Sequence, residues 1–129
     1  MRLGYGIAPK ALIDRMRPHT TGSINALVKW AGVAALEDSA AMDNVPSSTL
    51  QLRKKTTAEL EKLGFSVLPS ETNFLMVHLK KLVGPVIEAF RDRGVLVGRP
   101  FPPMTQHLRV SVGTEGEMAR FLAAFREIL

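Results

Sequence analysis

The sequence of 129 residues has no cysteine, one tryptophan and only 6% aromatic residues. Without cysteine, the chain cannot form disulfides, use a thiol nucleophile or bind zinc through thiolates, and it fits a reducing compartment such as a bacterial cytoplasm. No apolar run approaches the roughly 18 residues of a membrane-spanning helix. No apolar run follows the positive charge near the start, so no signal peptide is predicted. We therefore expect a cytoplasmic protein without membrane contact.

Motifs of several enzyme classes are also missing. The three histidines, His19, His78 and His107, lie far apart in the sequence and share no metal-ligand spacing, so no metal site is predicted. No Gly-x-Ser-x-Gly motif supports a hydrolase triad. Gly4 and Gly6 lack the third glycine of a dinucleotide-binding fingerprint. The residues thus give no support to these three kinds of chemistry.

The charge balance of 17 Lys and Arg against 12 Asp and Glu gives a net charge of +5. Such a balance marks a nucleic-acid binder when the charge is gathered on one face beside aromatic residues. The one tight cluster, Arg53-Lys54-Lys55, has no aromatic residue within it and is predicted to lie on the solvent-facing side of a helix. We therefore expect no nucleic-acid partner.

The first third of the chain has few features of a sheet. A short apolar segment predicts a strand over residues 3–8, and a short helix follows over residues 9–17. A second helix is predicted from Ile24 to Leu36, with apolar residues on nearly all sides. Turn and capping residues at 43–48 then predict a boundary between two domains, 1–45 and 46–129.

The rest of the chain changes periodicity between helix and strand. The predicted order is a helix from Pro46 or Thr49 to Leu63, strands over 65–68 and 74–79, a helix over 83–93, strands over 95–97 and 108–112, and a helix over 115–129. In the first of these helices, Leu52, Leu60 and Leu63 should face the core and Arg53 the solvent. This pattern predicts an α+β fold, a small mixed or antiparallel sheet covered by helices, preceded by the early strand and two helices.

Two arginines are the strongest candidates for binding chemistry. Strand alternation places Arg109 on the same side as Ser111, opposite the core-facing residues of the strand over 108–112. Arg99 follows the strand predicted over 95–97, at the start of a proline-rich loop. Two guanidinium groups at neighbouring strand ends could bind a carboxylate or phosphate in bidentate fashion. The alternative for each arginine is a structural salt bridge.

Four segments together resemble the pyridoxal-phosphate-dependent aminotransferases of fold type I, class I/II. The residues Arg2-Leu3-Gly4-Tyr5-Gly6-Ile7-Ala8 resemble the segment that follows the Schiff-base lysine in that family. Pro69-Ser70-Glu71-Thr72-Asn73-Phe74 resembles the Pro-Ser-x-x-Asn-Phe strand entry. The residues 94–100 and 108–114 resemble the two C-terminal arginine segments. The order is that of the family, and the subgroup that the chain resembles is the histidinol-phosphate aminotransferases.

The resemblance implies roles for single residues. Arg2 matches the arginine that holds the cofactor phosphate, and Arg109 matches the arginine that binds the acidic group of the substrate. Arg99 matches a second anion-binding arginine, although Gly98 and the prolines of its loop depart from the pattern. Asn73 is expected to hold the strand entry. The Schiff-base lysine would lie upstream of Met1, so no catalytic residue is expected within this chain.

The resemblance therefore implies a fragment of an aminotransferase. Residues 1–45 would be the end of its large domain, and residues 46–129 its small C-terminal domain. The complete enzyme would use pyridoxal 5′-phosphate to transfer an amino group from a donor, such as histidinol phosphate or an amino acid, to a 2-oxo acid. We expect the chain alone to bind no cofactor and to form a homodimer or larger homo-oligomer. A stand-alone small domain that serves as a non-catalytic interaction module remains the alternative.

Overall fold

The computed structural model describes residues 2–20 and 22–129, so Met1 and Thr21 lie outside the described residues. Within these residues the protein is an α+β fold of five α-helices and a three-stranded antiparallel sheet. The elements are α1 (Lys10–Met16, followed by a 3-10 turn over Arg17–His19), α2 (Ala26–Glu37), α3 (Ser39–Lys62), β1 (Ser66–Val67), β2 (Phe74–His78), α4 (Val83–Asp92), β3 (His107–Ser111) and α5 (Glu115–Ile128). Two compact units divide the chain, Met1–Asn44 and Val45–Leu129, so α3 begins in one and ends in the other.

The core of the second unit lies between its sheet and its helices. The strands pair in the order β1-β2-β3, with Leu75 opposite Val110 and Val77 opposite Leu108. These four side chains are buried together with Leu60 of α3 and with apolar residues of α4 and α5. Full burial of such a side chain contributes about 1.5–3 kcal/mol. Phe121, Leu122 and Phe125 of α5 are buried.

Glycine ends two of these helices at the predicted positions. Gly64 and Gly94 have φ values of +85° and +68°, in the left-handed region that a side chain disfavours. After each glycine the backbone N–H turns back to the last helical turn: Phe65 N–H donates to the Leu60 carbonyl at 3.1 Å, and Val95 N–H to the Phe90 carbonyl at 3.0 Å. This is the Schellman pattern, which satisfies carbonyl groups at the end of a helix.

The first unit contains no buried residue in α1 or α2. The side chain of Asn25 caps α2 by accepting hydrogen bonds from the backbone N–H groups of Leu27 and Val28. Leu27 and Trp30 of α2 are 76% and 66% exposed. In the described parts of the chain, no helix is long and apolar enough to cross a membrane.

The structure corrects two predictions about the first unit. Residues 2–9 contain no strand, because all three strands of the described sheet lie in the second unit and residues 3–8 have no neighbour to pair with. The turn predicted at 43–48 lies inside α3, which includes Pro46. The Asp38 carboxylate accepts the Ala41 N–H at 2.9 Å and caps the first turn of α3. A proline then removes one helical hydrogen bond without ending the helix.

Three predictions for the second unit are also wrong. Residues 95–97 form no strand: the Val95 N–H belongs to the end of α4, and bonding to β3 begins with Gly98, whose N–H donates to the Arg109 carbonyl. Leu63 is 39% exposed and lies just after the last residue of α3. Arg53 is buried rather than solvent-facing, because the turn that precedes β2 accepts its hydrogen bonds.

Candidate substrate-anion site

Arg109 lies on the face of β3 that points away from the core. Leu108 and Val110 are buried, whereas Arg109 is half-buried and Ser111 exposed, which is the alternation that the sequence predicts. Across the ladder, Met76 is opposite Arg109 and Phe74 is opposite Ser111. Because directly opposite and diagonal side chains on one face are within reach of each other, the guanidinium of Arg109 meets the ring of Phe74.

The guanidinium of Arg109 is stacked on an aromatic ring but has no anion. Its Cζ lies 4.4 Å from the centroid of the Phe74 ring, a cation–π contact. Its Nε is buried and has no hydrogen-bond partner in the described residues. No described carboxylate forms a salt bridge with it, in contrast to Arg93, which pairs with Glu127. This geometry favours the hypothesis that Arg109 binds an anion, because the ring orients a charged fork that forms no salt bridge with any described residue.

Gly98 brings the segment of Arg99 against β3. Its N–H donates to the Arg109 carbonyl at 2.8 Å, and a Cβ at this position would lie only 2.8 Å from the Cβ of Arg109. A side chain here would therefore push the two segments apart. Arg99 itself is exposed and lies outside any helix or strand. Arg99 thus directly follows Gly98, the residue whose backbone contacts Arg109.

The turn before β2 fixes the start of the strand that carries Phe74. The Ser70 hydroxyl donates to the Phe74 carbonyl at 2.8 Å, and the Thr72 hydroxyl donates to the same oxygen at 3.2 Å. The Asn73 carbonyl accepts the Val112 N–H at 2.8 Å, which joins the turn to the end of β3. Asn73 holds the strand entry through its backbone.

Arg53 of α3 is a site-associated residue that the sequence prediction missed. It is only 8% exposed; its Nη1 donates to the Thr72 carbonyl at 2.7 Å and its Nη2 to the Glu71 carboxylate at 2.9 Å. The sequence predicts it to lie with Lys54 and Lys55 on a solvent-facing basic surface. A signal was available, because Arg53, Thr56 and Leu60 follow the i, i+3, i+7 spacing of one helical face, and all three are buried.

Two histidines that are far apart in the sequence are neighbours on the same sheet face as Arg109. His78 and His107 are opposite each other in the ladder, and their rings stack with centroids 4.7 Å apart. Burial lowers the pKa of His107 below its ordinary value, and the nearby charge of His78 lowers it further. The arrangement favours a neutral imidazole at position 107.

Arg2 lies in the first unit, exposed and outside any helix or strand. Nothing lies within 4 Å of the positions that a Cβ would occupy on Gly4 or Gly6, so the backbone beside Arg2 is open. One free guanidinium next to open backbone fits a single phosphate contact of a cofactor such as pyridoxal phosphate. Among the described residues of this segment, Arg2 is the group that fits such a cofactor.

A hollow of about 370 Å³ lies elsewhere in the second unit, between residues 94–97 and α5. Val95, Val97 and Phe121 line it together with the charged residues Glu117 and Arg120. Neither of the candidate arginines Arg99 and Arg109 lines it. This hollow and the candidate anion site are therefore different places.

Known proteins resemble the chain throughout. The aminotransferase class I and II family model matches residues 1–125. The histidinol-phosphate aminotransferase of Nitratidesulfovibrio vulgaris (strain DP4) is 40% identical over an alignment of 132 positions, which covers 100% of this chain and 35% of that protein. The chain thus belongs to the class I and II aminotransferase family.

Solved structures agree with this assignment. A structure from Erwinia carotovora atroseptica SCRI1043 that carries the name of a histidinol-phosphate aminotransferase superposes with a TM-score of 0.82 at 33% identity, over 91% of this chain and 34% of that one. The histidinol-phosphate aminotransferase of Sinorhizobium meliloti, solved with pyridoxal-5′-phosphate, superposes with a TM-score of 0.69 at 26% identity, over 76% of this chain and 28% of that one. The chain spans little more than a third of the length of the curated relatives it matches.

Proposed function

We propose that the chain is part of a pyridoxal-phosphate-dependent aminotransferase of the histidinol-phosphate type, which transfers an amino group from an anionic donor to a 2-oxo acid. The observation that carries the proposal is the Arg109 guanidinium, stacked on Phe74 and without a described anion partner. The similarity to named histidinol-phosphate aminotransferases also supports this proposal.

In this proposal the arginines bind and orient the substrate. Arg109 donates two parallel hydrogen bonds to the carboxylate or phosphate of the donor, and Arg99 adds a second positive charge from the adjoining loop. A charge-assisted contact of this kind contributes about 1.5–3 kcal/mol. Holding the anion fixes where the amino group of the substrate lies, which is the positioning part of catalysis.

The cofactor belongs to the complete enzyme. When bound, pyridoxal phosphate supplies the carbonyl group and the electron-withdrawing ring that amino-group transfer requires. Arg2 would hold its phosphate, and the lysine that binds it would belong to the part of the relatives that this chain does not cover. We further propose that residues 1–45 end a large domain, that residues 46–129 are the small domain, and that the enzyme is a cytoplasmic homodimer of amino-acid biosynthesis.

A chimera tests this function. The 132 aligned residues of the Nitratidesulfovibrio vulgaris relative would be replaced by this chain, and amino transfer from histidinol phosphate would be measured. We expect an active chimera in which Arg109→Ala raises the KM for the donor about 10-fold or more while the cofactor Kd changes little. Arg2→Ala, the matched control, should weaken cofactor binding instead. A folded chimera without transfer activity, or one that Arg109→Ala leaves unchanged, would contradict the proposal.

The exposed apolar side chains of α2 favour a second candidate function. Leu27, Trp30 and Leu36 are all exposed in the first unit, and exposed apolar patches mark interaction surfaces. The chain would then be a non-catalytic interaction module. A chimera that folds and forms dimers but binds no donor would favour this candidate over the aminotransferase.

A further inference from the structure

Of the basic cluster Arg53-Lys54-Lys55 on α3, Arg53 alone is buried. Lys54 and Lys55 are exposed, and Lys55 pairs with Glu115 on the surface. Arg53 instead points at the turn before β2 and donates to the Thr72 carbonyl and to the Glu71 carboxylate. A buried charge is costly unless its donors are satisfied, so the position of this turn and that of Arg53 depend on each other.

The turn that Arg53 holds is also the support of the Arg109 guanidinium. Hydroxyl groups of Ser70 and Thr72 fix the Phe74 carbonyl at the first residue of β2. The Phe74 ring lies 4.4 Å from Cζ of Arg109. A continuous set of contacts therefore runs from α3 through the turn to the ring and then to the guanidinium.

We infer that Arg53 is a positioning residue for Arg109: by clamping the Thr72 carbonyl it sets the place of the Phe74 ring, and the ring sets the direction of the guanidinium. The inference rests on the proposed function only for the identity of what Arg109 binds. A shift of the ring would leave the guanidinium fork misaligned, and bidentate binding depends on that alignment.

The two hydrogen bonds of Arg53 should not be equally important. The side chain of Glu71 is 95% exposed, and an ion pair with such a partner contributes little. The Thr72 carbonyl belongs to the turn itself and has a fixed position. Removing the Arg53 guanidinium should therefore disturb Arg109, whereas Glu71→Gln should not.

The test uses NMR on the isotopically labelled chain and titration with inorganic phosphate at constant ionic strength. The Nε–Hε signal of Arg109, assigned by its loss in Arg109→Lys, reports the ring of Phe74 through its ring-current shift and needs no ligand. The variants are Arg53→Met, Arg53→Lys and Glu71→Gln, with Lys54→Met as the matched control on the same helix. Thermal unfolding of each variant shows whether it is folded.

We expect Arg53→Met to move the Arg109 signal towards that of free arginine and to weaken phosphate binding about 3- to 10-fold, a loss of the order of one hydrogen bond. Arg53→Lys should restore part of the Arg109 signal shift and part of the phosphate affinity. Glu71→Gln and Lys54→Met should leave the Arg109 signal where it is in the parent chain and the phosphate affinity within about 2-fold of the parent value. A folded Arg53→Met with an unchanged Arg109 signal would overturn the inference.

Two further results keep the test decisive. If Arg53→Met fails to fold, Arg53→Lys and Phe74→Leu replace it: Phe74→Leu should reproduce the loss of phosphate affinity, and an unchanged affinity would overturn the inference. If the parent chain binds no phosphate, that result counts against the proposed anion-binding role of Arg109 and not against the inference, and the ring-current shift in the Arg53 variants decides the role of Arg53.

Discussion

Arg109 differs from the other arginines of the second unit in what surrounds it. Arg93 and Arg126 form ion pairs with Glu127 and Glu59 at 3.1 and 3.0 Å, on the surface, where such pairs contribute about 1 kcal/mol or less. Arg109 is half-buried against an aromatic ring and has an unpaired buried Nε in the described structure. A buried donor without a hydrogen-bond partner lowers stability.

The shape of the guanidinium, and not its charge alone, should determine binding at this site. In the chimera described above, Arg109→Lys keeps the charge but loses the planar fork that binds a carboxylate or phosphate in bidentate fashion. We expect the donor affinity of Arg109→Lys to lie between that of the parent chimera and that of Arg109→Ala. Lysine should recover less than half of the binding free energy that Arg109→Ala loses. Steady-state KM values for the donor check this. Full recovery by lysine would show that charge alone is sufficient.

His107 should make the chain less stable in mild acid. Burial lowers its folded-state pKa, so between that pKa and the unfolded value near 6.5 the unfolded chain binds more protons. Its contribution to stability is therefore fully present above about pH 6.5 and is lost as the pH falls through the folded-state pKa. Denaturant unfolding between pH 8 and pH 5 measures this loss.

The control for this prediction is His107→Gln, which has no titrating group at position 107 but leaves His78 in place. The fall in unfolding free energy below pH 6.5 should be smaller in this variant than in the parent chain. His78 lies opposite His107 on the same sheet face, and its charge contributes to lowering the pKa of His107. Identical pH profiles for the two proteins would contradict the assignment to His107.

At the scale of the element, α5 is notable for a complete capping box at its N-terminus. Thr114 and Glu117 form a capping box: the Thr114 N–H donates to the Glu117 carboxylate at 2.7 Å, and the Thr114 hydroxyl oxygen accepts the Glu117 N–H. The first of these bonds holds the pKa of Glu117 below its ordinary value. Because α5 carries Phe121 and Phe125 into the core, its first turn is coupled to the stability of the whole second unit.

Removing the cap should destabilise the protein measurably. Thr114→Ala leaves the Glu117 N–H without its acceptor and should lower the free energy of unfolding by about 0.5–2 kcal/mol. Thr114→Ser retains the hydroxyl and is the matched control, with a change of less than half of that. Chemical denaturation followed by far-UV circular dichroism makes the comparison. Equal stability of the alanine and serine variants would show that the cap is not used.

At the scale of the whole molecule, the two units differ in how they bury apolar surface. The second unit has a continuous core that includes Leu60, Phe90 and Phe125. The first unit exposes the large apolar residues of its α2 helix and has no buried residue in α1 or α2. Burying four or five such side chains at about 1.5–3 kcal/mol each gives a substantial driving force for association.

We therefore predict that the chain self-associates through α2. A symmetric dimer buries this surface against its own copy and closes the assembly. Leu27→Glu should shift light-scattering masses towards the monomer, because it places a charge in the apolar contact, whereas Lys29→Gln on the same helix should not. A parent chain that remains a monodisperse monomer at high concentration would contradict the prediction.

We also predict that the chain alone binds pyridoxal phosphate weakly at best and does not transaminate. One phosphate contact from Arg2 provides about 1.5–3 kcal/mol, whereas association costs at least about 4 kcal/mol. Borohydride reduction in the presence of the cofactor, followed by peptide mapping, should find no single modified lysine. One stoichiometric, site-specific lysine adduct together with turnover would contradict this.

The local pattern of the sequence determined most of the second unit. Strand alternation located Arg109 on the face opposite Leu108, and glycine positions ended α3 and α4 after Lys62 and Asp92. Such features are set by spacing and backbone conformation within a few residues. The α+β fold class followed from the order of these elements, and the family followed from the four segments that resemble aminotransferases.

Only the tertiary structure decided which partners meet across distance in the chain. The strand predicted over residues 3–8 is absent because strands need a neighbour, and the helix α3 runs through Pro46 because one lost hydrogen bond does not end it. Arg53 reaches the Thr72 carbonyl, 19 residues away. The sequence determines which side of an element a residue occupies, whereas the fold determines what packs against that side. At Arg53 this contact decides between a solvated charge and a buried one.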